Sequence, residues 1–195
     1  MQCPADMRAQ KDLIMPTPFL SKSVFCDDSA LSRAFRDLST YPHAEPQALS
    51  RNGRAIGNAG EHVVDSLAAR HGLVLAVVDD GLSFDRVLQL PGTMIRLQIK
   101  TRTKPLANGY LFAMSKGYRG APAGVRPYAP NDFDLAALVV LPLNFVFFSA
   151  AKTPRIMVTF EQIRRLRTDP LASLDSAVQT ILQPDAVQTP RVSGL

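Results

Sequence analysis

The sequence predicts a mixed α/β (α+β) domain: a central mixed β-sheet flanked by helices, with extra helices at the N- and C-terminal ends. Three observations carry that prediction. Apolar residues recur at helical spacing between Ile56 and Ala68, side chains alternate at strand spacing between Phe84 and Thr101, and two short apolar runs follow at 134–141 and 145–150. With 195 residues the chain suits one domain that buries a core without staples. Its expected divisions are an arm and short helix over 1–44, a main domain over 45–168, and a helix with a tail over 169–195.

The first twenty residues hold Pro4, Pro16 and Pro18 with little periodicity, which predicts an extended arm. Asp27, Asp28 or Ser29 can cap a helix reaching Leu38, whose Leu31, Ala34, Phe35 and Leu38 form a stripe for docking. Pro42 and Pro46 mark a connection, and 47–70 reads as helix with a break at Asn52-Gly53. Ile56, Ala59, Gly60, Val63, Val64, Leu67 and Ala68 share its sheet-facing side, Glu61 lies on the flank, and His71-Gly72 ends it.

Residues 73–78 predict an apolar strand, and Asp79-Asp80-Gly81 a turn into a second strand over 84–90, making a hairpin. In that second strand Asp85, Val87 and Gln89 share one face, and Phe84, Arg86, Leu88 and Leu90 the other. Pro91-Gly92 turns the chain into a strand over 93–101, with Ile95, Leu97 and Ile99 on one face and Arg96, Gln98, Lys100 and Arg102 on the opposite one. Those four long polar side chains either meet solvent or need partners, because burying them unpaired is costly. Tyr110, Phe112 and Met114 alternate on a further strand, a Gly, Pro and basic loop spans 116–130, and 156–160 reads as an edge strand. Helices follow over 161–167 and 171–182, and the tail from Pro184 reads as loose.

The net charge of +5 is concentrated. Arg86, Arg96, Lys100, Arg102, Lys104, Lys116, Arg119 and Arg126 fall between residues 86 and 131 with no Asp or Glu among them, leaving 14 basic against 17 acidic residues elsewhere. A polyanion is the partner such a segment predicts. Cys3 and Cys26 form no CxxC, and His43, His62 and His71 are too scattered for zinc or a hydrolytic triad, so a reducing cytoplasm is the expected setting. The most apolar stretch, 135–148, is interrupted by Pro142 and Asn144 and reads as two buried strands, so no membrane partner is expected. GxxxxGK[ST] and GxSxG are both absent.

Glu61 on a helix, Asp85 on a strand, and Gln98 with Lys100 on the next strand come in an order that lets two acids, an amide and a lysine converge. Gln98 and Lys100 flank the single residue Ile99, so they leave the same face of their strand. The ordered set Gly57-Asn58-Ala59-Gly60-Glu61, Phe84-Asp85 and Leu97-Gln98-Ile99-Lys100-Thr101 resembles the PD-(D/E)XK nuclease superfamily over residues 54–148. The likeness is greatest to its branch of group I intron homing endonucleases, where glutamine replaces the acid before the lysine. Asp85 here lacks the proline that precedes it in the named motif.

That resemblance implies a restriction endonuclease-like fold and metal-dependent cleavage of DNA, with RNA left open as substrate. It implies Glu61, Asp85 and the Gln98 amide oxygen as ligands of Mg2+ or Mn2+, together with the Ile99 carbonyl, and Lys100 acting on water and phosphate. Arg86, Arg96, Arg102, Lys104, Lys116, Arg119 and Arg126 are then the expected nucleic-acid contacts. A homo-oligomer, dimer or larger, is expected if both strands of a duplex are cut. The alternative is a nucleic-acid-binding protein that keeps the fold and no longer cuts.

Overall fold

The computed structural model describes residues 29–183 except 80, 118, 119 and 121. The arm expected over the first twenty residues and the tail from Pro184 lie outside the described residues. The chain divides into two units, the first ending at Ala48 and the second starting at Leu49. In the first, α1 (Ala30–Leu38) is capped by the Ser29 hydroxyl, which accepts the Ser32 N–H at 3.1 Å. Its expected docking stripe is not buried as a stripe. Leu31 is 71% and Phe35 38% exposed, and Ser32 takes the buried position, because helical spacing shows which residues share a face and not what covers it.

Helix α2 (Pro46–Arg51) spans the boundary, and α3 (Gly53–Arg70) follows directly after the break at Asn52. Helix α3 ends where His71-Gly72 was expected to end it: the His71 N–H bonds back to Ala68 and Ala69, and Leu73 N–H to Ala68. Its buried residues Gly60, Val64, Leu67 and Ala68 all come from the sheet-facing set. Gly60 has a specific reason to be glycine. A Cβ at that position would collide with the Thr101 hydroxyl, so its absence lets α3 lie close against the strand that carries Lys100.

The central sheet has five strands in the order β1-β2-β3-β7-β8, and only β3 and β7 run parallel, which makes it mixed. They are β1 (Val74–Val77), β2 (Arg86–Leu90), β3 (Thr93–Arg102), β7 (Leu135–Val140) and β8 (Phe145–Ser149). Strand β7 is wholly buried, which explains its unbroken apolar run, whereas edge strand β1 is largely exposed. The hairpin β1–β2 and the Pro91-Gly92 turn between β2 and β3 are both present, with Gly92 supplying the positive φ of 76°.

Two further pairs stand outside this sheet. Strands β4 (Gly109–Ala113) and β9 (Arg155–Thr159) form an antiparallel pair, so the expected edge strand near 156–160 joins β4 instead. Phe160 opens α4 (Phe160–Leu166) behind a capping box made by Thr159 and Gln162, so the strand stops one residue sooner than periodicity alone indicates. Within the expected 116–130 loop, β5 (Ser115–Lys116) and β6 (Arg126–Pro127) make a short hairpin.

The sheet is covered on both faces. Val64 and Leu67 of α3 and Leu174 and Ala177 of α5 (Ala172–Leu182) pack with Leu97, Ile99 and Val139 in one cluster. Tyr110, Phe112, Phe133, Val158 and Ile163 pack with Ala136, Leu138 and Val140 in the other. Gln98 and Lys100, whose parallel partners are Ala136 and Leu138, therefore sit under the second cluster's layer and not on a solvated face. No helix among the described residues is long and apolar enough to cross a membrane.

Candidate active site

The β2–β3 ladder ends at Arg86 and Leu97, and Asp85 lies just before β2, not inside it. One more backbone bond follows, from Asp85 N–H to the Leu97 carbonyl at 2.9 Å. The chain then diverges, and the next amide of β3 on that side has no strand to pair with. The Asp85 carboxylate takes its place: Oδ2 accepts the Ile99 N–H at 2.6 Å, satisfying a group that burial would otherwise penalise. The same oxygen accepts from Gln98 Nε2 at 2.5 Å, and that amide nitrogen also donates to the Ile99 carbonyl at 3.1 Å. Gln98 is 5% exposed, so these bonds are its satisfaction in the core.

Burial pushes the Asp85 carboxyl above its ordinary value, against the Ile99 hydrogen bond that lowers it. The charge of Glu61 raises it further, and Lys100 and Arg86 lower it, so all four groups lie within electrostatic reach. Lys100 is drawn below its ordinary value mainly by burial, with Asp85 acting in the opposite sense and Arg102 adding to the fall. Its ammonium lies 5.0 Å from the centre of the Tyr128 ring.

Glu61 reaches the site through Arg86. That guanidinium is 5% exposed and forks onto Asp65, Nε to Oδ1 and Nη2 to Oδ2, both at 2.9 Å. Its Nη1 donates to the Asp85 carbonyl at 2.7 Å and lies 3.1 Å from Glu61 Oε2. Glu61, Asp85 and Arg86 line one open cleft of about 440 Å³, with Arg54, Val77 and Phe84 among its other walls.

Arg86, expected among the nucleic-acid contacts, is buried and engaged by the carboxylates of Asp65 and Glu61 and by the Asp85 carbonyl. Arg96 and Lys116, also expected as such contacts, are engaged as well. Arg96 forks onto Asp134 at 2.7 and 2.9 Å and donates to the Asn131 carbonyl, and Lys116 pairs with Asp132 at 2.5 Å. The acid-free run from 86 to 131 concealed this, because Asp65, Asp132 and Asp134 lie outside it in sequence and fold back onto it. Arg102, Lys104 and Arg126 are exposed and carry no side-chain partner among the described residues. Arg119 lies outside the described residues.

No family model matches the chain, and no curated protein does. Among solved structures, that of a bacterial homing endonuclease, I-Ssp6803I, matches with a TM-score of 0.50 at 20% identity, covering 69% of this chain and 96% of that one. The chain shares its fold with a homing endonuclease. The central mixed sheet flanked by helices is the fold class the sequence predicted.

The donor set fits a hard cation better than a soft one. Among the described residues no three His, Cys, Asp or Glu gather, and the oxygens that could serve such an ion are the Asp85 and Glu61 carboxylates and the Ile99 carbonyl, toward which Gln98 now turns its amide nitrogen. Asp65, Tyr128 and Asp132 were missed in the sequence. Asp65 was within reach of inference, since it lies four residues after Glu61 on α3 and so on the same side. Tyr128 and Asp132 give no local signal.

Proposed function

We propose that this protein is a metal-dependent endonuclease hydrolysing phosphodiester bonds in DNA, with Glu61, Asp85, Gln98 and Lys100 acting in the manner of a PD-(D/E)XK site of the Q-x-K type. One observation supports this most directly. Asp85 Oδ2 and the Ile99 carbonyl converge on a single point, 2.5 and 3.1 Å from the Gln98 amide nitrogen, with the Lys100 ammonium nearby. The positive end of an amide dipole fills the point to which a divalent cation would be drawn. Were the Gln98 side chain to draw back and turn its amide over, Oε1 would face a cation held by Asp85 and the Ile99 carbonyl as a third oxygen ligand.

Asp85, the Ile99 carbonyl and Gln98 would hold Mg2+ or Mn2+, with Glu61 serving through water while Arg86 steadies it. Such an ion supplies polarisation of a phosphoryl oxygen and a more acidic attacking water. Lys100 presents positive charge to the phosphoryl oxygens and orients water from the side of the site opposite α3. Arg102, Lys104 and Arg126 hold backbone phosphates on either side. RNA offers the same phosphodiester chemistry, and cutting both strands of a duplex generally asks for two sites, so a homo-oligomer, dimer or larger, goes with this reading if the product is a double-strand break.

The test compares the unaltered protein with Lys100→Ala and Asp85→Ala for nicking of supercoiled plasmid, with Mg2+ and with chelator. Both variants and the chelated protein are expected to leave the plasmid intact, and equal nicking by all three proteins overturns the assignment. A second reading, binding without cutting, draws support from Gln98 and Arg86, which satisfy Asp85 and Glu61 without a cation. Salt-dependent DNA binding with plasmid intact in both Mg2+ and Mn2+ would select it.

A further inference from the structure

Tyr128 follows β6 and enters the site from the layer that covers Gln98 and Lys100. Its ring lies 5.0 Å from Lys100 Nζ and 5.8 Å from Lys116 Nζ, and meets Phe133 edge-on at 5.0 Å. The ring is held from behind by Asp132. That carboxylate accepts from Lys116 Nζ and from the N–H of Ala129, the residue next to Tyr128. The Asp132 carbonyl accepts the Ser83 hydroxyl at 2.9 Å, two residues before Asp85. Asp132 therefore ties the segment carrying Tyr128 to the segment carrying Asp85.

A lysine side chain has many rotamers, and only those aimed at Asp85 and the ester serve the proposed reaction. A ring face over the ammonium favours such rotamers by its quadrupole and keeps water away. The phenol itself is pushed above its ordinary value by burial and then by the charges of Asp85 and Asp132, so it stays protonated and adds no charge to the site.

We propose that Tyr128, fixed by Asp132, is a positioning residue that holds the Lys100 ammonium toward Asp85. It acts through its ring face and through Lys100, not by touching the ester. The catalytic consequence rests on the nuclease reading, while the contact rests on the ring geometry alone.

The experiment uses the full chain as the unaltered protein, Tyr128→Phe, Tyr128→Leu and Lys100→Ala. Each is assayed for plasmid cleavage in Mg2+ over a range of DNA concentrations, with Lys100→Ala as the uncut reference, and the three proteins that keep Lys100 are assayed for its acetylation by a small acylating reagent, read by peptide mass. Tyr128→Phe keeps the ring and should stay within about threefold of the unaltered protein in kcat and in KM. Tyr128→Leu should lose roughly 10- to 100-fold in kcat with KM unchanged, as misplaced groups do, and its Lys100 should acetylate severalfold faster.

A Tyr128→Leu protein that cuts at the unaltered rate, with Lys100 no more reactive, overturns the proposal. So does a Tyr128→Phe protein as impaired as Tyr128→Leu, because the hydroxyl would then be the acting group. If the unaltered protein leaves plasmid intact while Lys100 reactivity still rises in Tyr128→Leu, the nuclease reading fails and the positioning contact stands.

Discussion

Replacing Arg86 by methionine removes a buried cation that joins α3 to the start of β2. The guanidinium makes two bonds to Asp65, one to the Asp85 carbonyl and one ionic contact to Glu61, and it is 5% exposed. Breaking a buried pair by deleting one partner costs about 3–5 kcal/mol, most of it from the charge left behind. Here the stranded carboxylates are not fully enclosed: the Asp65 side chain is 34% and the Glu61 side chain 31% exposed, so water recovers part of their solvation. The expected loss is therefore about 2–3 kcal/mol, or a fall of roughly 5–10 °C in Tm for a chain of this size.

Thermal unfolding of Arg86→Met, Asp65→Asn and the double variant would measure this. The double variant should recover much of the Arg86→Met loss, because Asp65 is then no longer a stranded charge, giving a coupling of about 1–3 kcal/mol. Raising salt to 0.5 M should change the difference little, since the pair is largely shielded from mobile ions. An Arg86→Met protein that unfolds within about 1 °C of the unaltered one would refute the buried-fork account, because the cost of the orphaned acids in that account has no other outlet.

Gly60→Ala forces a Cβ against Thr101 and should cost about 1–3 kcal/mol in urea unfolding, partly restored by adding Thr101→Ala. Burial raises the Asp85 carboxyl, so its ionised form destabilises the fold at neutral pH, and that penalty fades as pH falls through the raised value toward the ordinary one. Asp85→Asn should accordingly unfold at or above the unaltered midpoint at pH 7, with a margin that shrinks in acid, and a drop of many degrees at pH 7 would contradict this. Neutralising Arg102, Lys104 and Arg126 together should flatten the salt dependence of DNA binding by roughly 2–3 in log–log slope with little change in Tm, whereas Arg96→Ala should lower Tm.

Local pattern was sufficient where the physics is local. The break at Asn52, the helix end at His71-Gly72, the Pro91-Gly92 turn and the alternation of Ile95, Leu97 and Ile99 all depend on backbone sterics or on a period that a short window contains. The fate of the opposite face was different. Whether Gln98 and Lys100 met water depended on β4 pairing with β9, segments separated by more than forty residues, and on Tyr128 arriving from a loop. Arg86 shows the same divide: its alternation with Leu88 puts the two on one face of the strand, while its acidic partner Asp65 lies 21 residues away and outside any local window.

The amide at position 98 also follows from the balance of charge around it. Glu61, Asp65 and Asp85 bring three negative charges and Arg86 and Lys100 two positive ones, so these groups of the site carry one net negative charge. A carboxylate in place of the Gln98 amide would stand beside Asp85 Oδ2 in a buried position where the amide nitrogen now donates at 2.5 Å. Two like charges at that range cannot both stay ionised at ordinary pH without a cation between them. Glutamine removes that conflict, satisfies Asp85 and the Ile99 carbonyl by hydrogen bonds, and keeps an oxygen that the amide, drawn back and turned over, would present to an ion. The same exchange lowers the negative charge offered to a divalent ion, so under the proposed reading this site would hold the ion more weakly than a three-acid site.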